Sequence, residues 1–596
     1  MESNENRQDQ AVSDEAFKLD RLRHSASHIL AQAVTRLYPG AKLAIGPSIQ
    51  DGFYYDIDVD TTFSEEDLEK IAAEMKRIVK ENQPFSQESW SKDKARAYFS
   101  AHQQDYKLEL IEGIADEEVS VFINPQKGDA EPFIDLCAGP HVPRTGNAKH
   151  FKLLKVSGAY WRGDATKAQL QRIYGTAWTS KDDLDAYLFR LEEAKKRDHR
   201  RLGKELDLFL FSDLAPGAPF WLPNGEDLYE NLVSRMRTLL RAEGYSQVRT
   251  PLIYDKALWE TSGHWGHYHQ HMFHFSDGET EGDETRIYGL KPMNCPAHMV
   301  IYRSKKRSYR DLPLRYSDQG VLHRNELSGA LSGLTRVRQF SQDDAHIFVA
   351  EDQIQAEVER LLDLINRVYG AFDMGYQFQF STRPADKLGD DALWDQAESA
   401  LEAALKSHGA AYTVNEGDGA FYGPKIDFQV LDALGRAHQC ATIQLDYQLP
   451  QRFELSYVGA DNTLHTPVVI HRAILGSFER FIGILIEHFA GNFPVWLAPE
   501  QVRVMTVSEK SVAHGNAVVA ALSAAGIKVV FDDSANKIGY KIRECHGKKV
   551  PYMVVIGEKE LEEGTVSIRS RDHGDLGSMT VEDFVARVAE EARPRF

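Results

Sequence analysis

The sequence predicts an α+β protein built from several domains. Its 596 residues are several times the length of a usual domain, roughly 100–200 residues, so one core cannot account for the chain. Helical and strand-like segments are mixed up to about residue 497, and from there strands and helices alternate regularly. These observations predict an α+β body followed by a small α/β domain.

The first mixed segment ends near residue 182. "HSASHILAQAVTRLYP" has apolar residues at helical spacing, and Pro39-Gly40 ends this helix. "GFYYDIDVD" alternates as a strand does, and "SEEDLEKIAAEMKRIVKEN" again has helical spacing. Residues 1–20 show no periodic apolar pattern, which predicts a disordered tail before this α+β domain.

A connecting helix is predicted over residues 183–204. Its C-terminal half is strongly basic, which suits a connector beside an acidic polymer, although a solvated helix face has the same pattern and is the commoner outcome. Residues 205–497 then contain long helices between strand-like runs such as "GRAHQCATIQLDYQL", and a large sheet flanked by helices is the simplest arrangement. In residues 498–596, apolar runs such as "PYMVVIG" predict buried, parallel strands.

Composition limits the possible partners. The chain has 70 Lys+Arg against 89 Asp+Glu, a formal charge of −19, which argues against indiscriminate coating of nucleic acid but allows a local basic track. No apolar run approaches the roughly 18–20 residues of a membrane span, and the polar N-terminus is unlike a signal peptide. The 4 cysteines do not support a disulfide framework, so we expect a cytoplasmic protein without a membrane partner.

The most specific pattern is "VLHRNELSGALSGLTRVRQFSQDDAHIF", residues 321–348. Arg324 and Glu326 lie two apart on a predicted strand and therefore point to the same side, while Arg336 and Arg338 lie across a Gly- and Ser-rich loop. Such a hairpin can clamp a triphosphate, because arginines offer forked, permanent cations to phosphate oxygens. On spacing alone, a surface hairpin with ordinary ion pairs is the commoner outcome.

Two shorter motifs, "HSASH" (24–28) and "CAGPH" (137–141), each place two soft ligands four residues apart. Three imidazoles and a thiol suit a zinc site. The same imidazoles titrate near neutral pH and equally suit proton transfer in a water-filled pocket. The residues alone leave both interpretations open.

Beyond these patterns, the chain resembles the threonyl-tRNA synthetase family of class II aminoacyl-tRNA ligases. "RNELSGALSGLTRVRQFSQDDAHIF" resembles the family's motif 2, "HRAILGSFERFIGILIEHFAG" its motif 3, and the helix ending in "GYSQVRTPLI" its motif 1. The resemblance implies a class II catalytic sheet of six or seven antiparallel strands flanked by helices and, through motif 1, a homodimer. The implied domains are an editing domain (21–182), a linker helix (183–204), a catalytic domain (205–497) and an anticodon-binding domain (498–596).

The implied activity is ATP-dependent attachment of L-threonine to tRNA(Thr) through a threonyl-adenylate, with Mg2+ accompanying ATP. The resemblance assigns one Zn2+ per subunit to Cys295, His346 and His471, with the fourth position open to substrate. Threonine and valine are nearly isosteric, and a metal that binds the hydroxyl and the amine penalises valine where an apolar pocket cannot.

The resemblance also implies the contacts of each substrate. The implied threonine contacts are Gln342, Asp344 and Tyr422. The implied catalytic arginines are Arg324, at the α-phosphate and carboxylate, and Arg480, on the nucleotide phosphates. The implied ATP and adenylate contacts are Glu326, Arg336, Phe340, Gln439, Thr442 and Gln444.

Serine remains a problem for such a site, because it keeps both zinc ligands and lacks only a methyl, worth about 1–3 kcal/mol. The resemblance therefore implies a second sieve, hydrolysis of seryl-tRNA(Thr) in the N-terminal domain. It implies that bacterial threonyl enzymes do this without metal, although the same four ligands can hold zinc elsewhere in the superfamily. The implied editing residues are His24, His28, Tyr55, Lys107, Asp135, Cys137 and His141.

The last domain resembles the family's anticodon-binding module, with Lys549, Glu560 and Arg569 as implied contacts to unstacked bases. The chain departs from the family at two points. Ala138 stands where the family often has Arg, and residues 1–20 leave no room for the small ubiquitin-like domain with which many members begin. We therefore expect a form without that domain.

Three other interpretations are weaker. A catalytically inactive, RNA-binding regulator derived from a synthetase would lose motif arginines or metal ligands, and the chain keeps them. A class II ligase for another amino acid is opposed by the implied zinc triad together with the editing segment. The histidines of "HWGHYHQHMFH" (264–274) are expected in an exposed loop rather than in a further metal site.

Overall fold

The computed structural model describes residues 2–126, 128, 131–164, 166–277 and 286–596, with side chains from residue 14 onward. The chain divides into two compact units, Met1–Glu192 and Glu193–Phe596. Among the described residues, no helix is both long enough and apolar enough to cross a membrane.

The first unit combines helices with two antiparallel sheets. Its described helices are α1 (Glu2–Leu37), α2 (Glu65–Glu81), α3 (Lys92–Ala101) and α4 (Asp105–Gly113). Its described strands are β1 (Lys42–Leu43), β2 (Ser48–Ile49), β3 (Gly52–Asp58), β4 (Ser86–Ser91), β5 (Glu118–Asn124), β6 (Phe133–Leu136), β7 (His150–Tyr160) and β8 (Gln169–Trp178). One sheet has the order β1-β3-β8-β7, with β2 on β3, and the other has the order β4-β5-β6. The apolar face of α1 packs with α2 on the first sheet.

Helix α1 differs from the sequence-based expectation at its start. Residues 2–20, predicted to be a disordered tail, have helical backbone, and Met1 lies outside the described residues. The sequence has no glycine or proline between Met1 and Leu37, so no residue interrupts the helical hydrogen bonds. The side chains of residues 14–18 are exposed, and from residue 14 onward the first apolar side chain that α1 buries is Leu22.

The second unit begins with the connecting segment and the large central sheet. Its helices up to residue 488 are α5 (Lys181–Arg197, which starts in the first unit), α6 (His199–Glu205), α7 (Pro223–Ala242), α8 (Lys256–Ser262), α9 (His264–Tyr268), α10 (Cys295–Arg303), α11 (Ile354–Gly370), α12 (Asp391–Ser407), α13 (Gln448–Arg452) and α14 (Phe478–His488). Its strands up to residue 477 are β9 (Phe209–Leu210), β10 (Phe220–Trp221), β11 (Ser246–Gln247), β12 (Ile253–Asp255), β13 (His274–Ser276), β14 (Ile287–Leu290), β15 (Leu314–Asp318), β16 (Val321–His323), β17 (Gln339–Val349), β18 (Tyr376–Ser381), β19 (Tyr412–Asn415), β20 (Lys425–Leu431), β21 (Ala437–Asp446), β22 (Tyr457–Val458), β23 (Leu464–His465) and β24 (Val468–Ser477).

The central sheet has the order β11-β15-β17-β24-β21-β20-β18-β19, with β16 on β17. The run from β15 to β18 is antiparallel, which confirms the predicted antiparallel sheet, and the edge strands β11 and β19 pair in parallel. Side chains alternate between the two faces of a strand. On β17, Ala345, Ile347 and Val349 therefore pack in the core with α7, α11, α12 and α14, while alternate residues face the other side.

Two local predictions need correction. The predicted single helix over residues 183–204 is two helices, because Asp198 interrupts it and caps α6 by accepting a hydrogen bond from the Arg200 N–H at 2.8 Å. Arg324 and Glu326 were predicted on a strand, but β16 ends at His323. The Arg324 N–H still donates to Arg338, whereas the Glu326 N–H donates back to the Arg324 carbonyl and turns the chain.

The C-terminal domain contains one mixed sheet. Its strands are β25 (Val502–Thr506), β26 (Val529–Asp532), β27 (Tyr552–Ile556), β28 (Thr565–Ser570) and β29 (Gly574–Thr580), and its helices are α15 (Val512–Ala524), α16 (Ile538–Gly547), α17 (Glu558–Glu563) and α18 (Val581–Glu591). In the order β26-β25-β27-β28-β29, the first pairs are parallel as predicted, and the last two are antiparallel. Their connections are shorter than the dozen or so residues that a parallel crossover needs.

Buried Glu479, at the start of α14, gives a testable pH dependence. Its Oε2 accepts a hydrogen bond from the Ser341 N–H at 3.0 Å, and burial raises its pKa from 4.5 to about 8. Because the folded state holds the proton more tightly, this stability contribution is complete below about pH 4 and is lost as the pH rises to 8. We therefore expect the thermal midpoint of Glu479→Gln to rise relative to that of the wild type between pH 5 and pH 8. Above pH 8 the difference between the two midpoints should stay constant.

The matched control is Glu416→Gln, since Glu416 is exposed in the same domain. Its midpoint should follow the wild-type curve at every pH. Parallel curves for Glu479→Gln and the wild type would contradict the assignment.

Candidate functional site

A polar cavity of about 310 Å³ lies on the face of the central sheet opposite the helical core. Its volume is at the small end of ligand pockets, about 300–1,000 Å³. Its lining residues are Tyr268, Met293, Cys295, Arg324, Gln342, Asp344, His346, Asp418, Gly419, Ala420, Phe421, Tyr422, Lys425, Thr442, Gln444, His471, Arg472 and Ala473.

Strand register brings the polar residues together. Across β17, β24 and β21, His346 pairs with His471, which pairs with Gln444, and two residues along, Asp344 pairs with Ala473, which pairs with Thr442. Because residues two apart on a strand share a face, both rows point into the cavity. Cys295, the first residue of α10, closes the site from outside the sheet.

Cys295, His346 and His471 are buried and form a compact triad, with their ligand atoms within 4.8 Å of one another. Nε2 of His471 lies 2.8 Å from Asp446 Oδ2, and Nδ1 of His346 lies 2.8 Å from His298 Nδ1. The remaining ring nitrogens, Nδ1 of His471 and Nε2 of His346, face each other at 3.0 Å. Asp446 accepts the Nε2 proton of His471, which leaves a lone pair on Nδ1 of that ring. When His346 Nδ1 donates to His298, its Nε2 offers a second lone pair beside the thiol, which is consistent with a zinc site.

Burial sets the protonation of these groups. It lowers the pKa of the His346 imidazole well below its ordinary value and raises the pKa of the Cys295 thiol well above its own. Burial also raises the pKa of the Asp344 carboxyl. The charge of His298 and the hydrogen bond from Asn294 act in the opposite direction, but burial is the larger effect. A buried site of this kind favours neutral imidazoles, the form that binds a metal.

The predicted threonine contacts line the cavity. Tyr422 stacks on the His471 ring at 4.8 Å and donates a hydrogen bond to Gln444 Oε1 at 2.6 Å. Gln342 and Asp344 lie on β17, one on each side of an irregularity in the pairing with β24. These contacts therefore share one wall with the triad.

Sequence reasoning missed a buried hydrogen-bond chain that ends at Asp344. Asn294 Nδ2 donates to Asp344 Oδ2 at 3.0 Å, and Lys291 Nζ donates to Asn294 Oδ1 at 2.8 Å. An ammonium can only donate, so it fixes the Asn294 amide with its NH2 toward Asp344. The sequence placed Asn294 beside Cys295, but only the fold shows that Lys291 is fully buried.

The predicted nucleotide contacts divide into two groups. Arg324, Thr442 and Gln444 line the cavity, and the Arg324 guanidinium lies 5.0 Å from the Phe340 ring centroid. The others lie outside its described lining: Glu326, Arg336, Phe340, Gln439 and Arg480. Among the described residues, none accepts a hydrogen bond from the buried Nε of Arg480.

The histidine run 264–274 is only partly an exposed loop. His269, His271 and His274 are exposed as predicted. His264 is instead buried, with Nδ1 2.8 Å from the Ser262 hydroxyl and its ring edge-on to Trp259 and Phe421. Its neighbour Gly263 adopts a positive φ of 83°, which turns the chain inward at this point.

In the first unit, the two soft-ligand motifs form one cluster. His24 and His28 lie one turn apart on α1, Cys137 and His141 follow β6, and the four ligand atoms lie within 4.8 Å of one another. The Cys137 sulfur is 3.3 Å from His24 Nε2 and 3.4 Å from His141 Nε2. Burial lowers the pKa of all three imidazoles and raises the pKa of the thiol to about 12.

The other predicted editing residues adjoin this cluster. Asp135 is 3.5 Å from His28, forms an ion pair with Lys107 Nζ at 2.5 Å, and accepts a hydrogen bond from Tyr55 Oη at 2.6 Å. Lys107 donates to Tyr55 at 2.9 Å. Neutral imidazoles beside a buried carboxylate can accept a proton from a water molecule.

The three predicted anticodon residues have different surroundings. Lys549 is half-buried against Gly491, which follows α14, and burial lowers its pKa. Glu560 accepts a hydrogen bond from the Gly557 N–H at 2.9 Å and so caps α17. Arg569 is exposed, 3.6 Å from Asp575.

Comparison with known families agrees with this architecture. Residues 274–489 match the class II tRNA synthetase core domain (G, H, P, S and T), and residues 501–591 match the anticodon binding domain. Residues 122–174 match the threonyl and alanyl tRNA synthetase second additional domain. An antiparallel sheet with this site and these domains defines a class II aminoacyl-tRNA synthetase.

Individual relatives are more specific. The chain is 52% identical over 582 residues to a threonine–tRNA ligase of Anaeromyxobacter dehalogenans, covering 97% of this chain and 89% of the relative. It is 51% identical over 571 residues to that of Acetivibrio thermocellus, covering 96% and 88%. The solved RNA binding domain of a Cryptosporidium parvum threonyl-tRNA synthetase superposes with a TM-score of 0.63 at 45% identity, covering 66% of this chain and 98% of that chain. The chain belongs to the threonine–tRNA ligase family.

The Asn294 chain predicts a selective defect in threonine binding. Asn294→Asp replaces the NH2 donor with a carboxylate facing Asp344, and Lys291 stabilises the new charge. Because two carboxylates cannot share a hydrogen bond without a proton, we expect the KM for threonine in ATP–pyrophosphate exchange to rise about tenfold or more. The KM for ATP should stay within about threefold of wild type.

The matched control is Asn231→Asp on α7, the same chemical change outside the cavity lining. It should leave both KM values unchanged. An unaltered KM for threonine in Asn294→Asp would show that this hydrogen bond does not organise the site.

Proposed function

We propose that this chain attaches L-threonine to tRNA(Thr) in two steps. The threonine carboxylate attacks the α-phosphorus of ATP, pyrophosphate leaves, and the terminal ribose hydroxyl of tRNA then takes the threonyl group from the adenylate. The observation that carries this proposal is one cavity lined jointly by the Cys-His-His triad, Asp344 and Arg324. The 52% identical relative is described as a threonine–tRNA ligase.

The triad fits one Zn2+ per subunit. Its thiol and two imidazole nitrogens converge, and Asp446 and His298 contact the two rings on their other sides. When bound, the ion supplies a Lewis acid that the amino and hydroxyl groups of threonine can ligate. With only three protein ligands, the ion would leave room for both of these substrate groups.

The side chains around the triad select the substrate. Asp344, held by Asn294, accepts a hydrogen bond from the threonine hydroxyl, while Gln342 and Tyr422 orient the amino group. Valine offers a methyl instead and leaves the buried Asp344 without this second hydrogen bond. A site built around a substrate hydroxyl in this way rejects the analogue that lacks it.

Catalysis of adenylation is mainly positioning and neutralisation of charge. Arg324 lies in the cavity wall and contacts both the threonine carboxylate and the α-phosphate. Arg336 and Arg480 neutralise the other phosphates, with Mg2+ arriving on ATP, and the unpartnered Nε of Arg480 supports such a role. Glu326, Phe340, Gln439, Thr442 and Gln444 hold the adenosine, with the base stacked on Phe340.

A second site in the first unit hydrolyses seryl-tRNA(Thr). A neutral imidazole among His24, His28 and His141 accepts a proton from water, the water oxygen attacks the ester carbonyl carbon, and the ribose oxygen leaves with a proton. Lys107, Tyr55 and Asp135 form the buried polar wall that orients the ester and the water. The same four ligand atoms could hold a cation, so metal content is part of the test.

The remaining features concern assembly and location. We infer a homodimer formed through motif 1, where Leu252 and Ile253 expose apolar surface and a cavity of about 640 Å³ is lined by Arg237, Arg241 and Arg249. The four unpaired cysteines agree with a cytoplasmic location. The contacts of tRNA(Thr) through Lys549, Glu560 and Arg569 stay predictions.

The alternative is a catalytically inactive, RNA-binding relative. ATP–pyrophosphate exchange separates the two. We expect exchange that depends on threonine, with kcat/KM for valine lower by about a thousandfold or more. For serine, which lacks one methyl, kcat/KM should be lower than for threonine by only about 10–200-fold.

Metal dependence is the second part of this test. Removing zinc with a chelator, or changing Cys295→Ala, should abolish threonine-dependent exchange, and added Zn2+ should restore only the chelated wild type. Full activity in metal-free protein, or exchange that ignores threonine, would refute the proposal.

Editing is tested with seryl-tRNA(Thr). Lys107→Met removes the charge beside Asp135, and His28→Asn removes a proton acceptor, so each should slow deacylation by about 10²–10⁴-fold. Threonine-dependent exchange should not change, because both residues lie in the first unit. The matched control is Lys152→Met, an exposed lysine of β7, which should deacylate normally.

Metal analysis accompanies the editing assay. One zinc per chain, lost in Cys295→Ala, supports metal-free editing. A second zinc, lost in His28→Asn, contradicts that part of the proposal, as does unaltered deacylation in both editing variants.

A further inference from the structure

A buried histidine outside the cavity, His199, joins helix α6 to the loop between Glu326 and Arg336. Its side chain is 5% exposed. Nδ1 lies 2.6 Å from Glu487 Oε1, and Nε2 accepts a hydrogen bond from the Leu334 N–H at 3.0 Å. The ring therefore contacts α14 on one side and the loop backbone on the other.

The two partners fix the tautomer of this ring. A backbone N–H can only donate, so Nε2 of His199 must carry a lone pair, and Nδ1 carries the proton that it donates to Glu487. Asp198, His199 and Glu487 place ligand atoms within 4.8 Å, as a metal site would. Because both ring nitrogens are already engaged, this group serves as a structural connection rather than a metal site.

Glu487 is itself held firmly. It accepts hydrogen bonds from the His199 N–H at 3.1 Å and from Arg436 Nη2 at 2.5 Å, and Arg436 also pairs with Asp432 at 2.6 Å. Burial alone would raise the pKa of Glu487, but these hydrogen bonds and the Arg436 charge lower it overall. The carboxylate is thus a fixed, charged acceptor for the histidine.

The loop is fitted closely against the ring. Gly333 has a positive φ of 49°, and a Cβ at this position would lie 2.2 Å from His199 Nε2. Leu334, the next residue, is fully buried. A Cβ added to Gly483 of α14 would lie only 3.2 Å from the Leu334 Cβ. Two small residues therefore let the loop, the ring and α14 meet at one point.

The elements that meet here carry two predicted ATP contacts. Arg336 follows Leu334 by two residues, and Arg480 lies in the first turn of α14, the helix that ends with Glu487 and His488. We propose that His199 is a positioning residue for ATP: it holds the Leu334 backbone to α14 and so sets the placement of Arg336 relative to Arg480. This inference rests on the proposed function, because it concerns the same ATP site.

Two substitutions separate the two hydrogen bonds of His199. The amide of asparagine can replace Nδ1 and donate to Glu487, but it is too short to reach Leu334. The longer glutamine can place its carbonyl oxygen near the Nε2 position and accept from the Leu334 N–H. We expect His199→Asn to raise the KM for ATP in exchange by about tenfold and His199→Gln to stay within about threefold of wild type.

Three other measurements make the test specific. The KM for threonine and the zinc content should be unchanged in both variants, because His199 does not line the threonine cavity. The matched control is His438→Asn, which alters another histidine of the same network, 3.1 Å from Asp432. It should leave the KM for ATP unchanged.

A loop-side variant covers the case in which His199→Asn does not fold. Gly333→Ala keeps His199 but pushes the loop away from its ring, so it should raise the KM for ATP in the same way. Equal KM values for ATP in the asparagine and glutamine variants would overturn the proposal. So would a loss of thermal stability with an unchanged KM for ATP.

Nucleotide binding separates this inference from the proposed function. Calorimetric titration with a non-hydrolysable ATP analogue should rank wild type and His199→Gln together and His199→Asn below them, without threonine present. If the affinities follow this order but the wild type does not activate threonine, the role of His199 is retained and the proposed activity is refuted. Equal binding by all three proteins would refute the role of His199.

Discussion

The central domain depends on one fully buried ion pair. Asp343 and Arg472 are both inaccessible to solvent, with Oδ1 and Nη1 3.0 Å apart, and Asp343 Oδ2 also accepts hydrogen bonds from the Ile474 and Leu475 N–H groups. A buried charge is tolerated only when paired and hydrogen-bonded in this way. The pair ties β17 to β24 beside the irregularity after Gln342, and so it sets the register that aligns the site.

That register explains how a hydrophobic sheet carries a polar site. On one face of β17 the side chains pack against helices, and on the other Asp344 and His346 look into the cavity. Every buried polar group there needs a partner, and the partners come from outside the strand. Asn294 is the hydrogen-bond partner of Asp344, His298 is that of His346, and Asp446 of β21 is that of His471.

Much of this arrangement follows from the sequence, and the rest does not for identifiable reasons. Family resemblance named the triad and the editing cluster, and the structure brings each set together. Periodicity located α2, whose apolar stripe is strong, and predicted long helices between residues 205 and 497, where α7 and α11 lie. It could not find Lys291, Asn294 or His199, because their roles arise from contacts between distant segments. It also missed the helical start of α1, since the sequence of residues 1–20 has no periodic apolar pattern.

Residues with different roles occupy neighbouring positions on β17, and this has a consequence for protein engineering. Asp343 anchors the core, Asp344 faces the amino acid, and His346 belongs to the triad, all within four successive positions. A one-residue slip in strand pairing would exchange the faces and place each side chain in the wrong surroundings. Efforts to broaden the range of accepted amino acids should therefore begin on α10, which borders the cavity without belonging to the sheet.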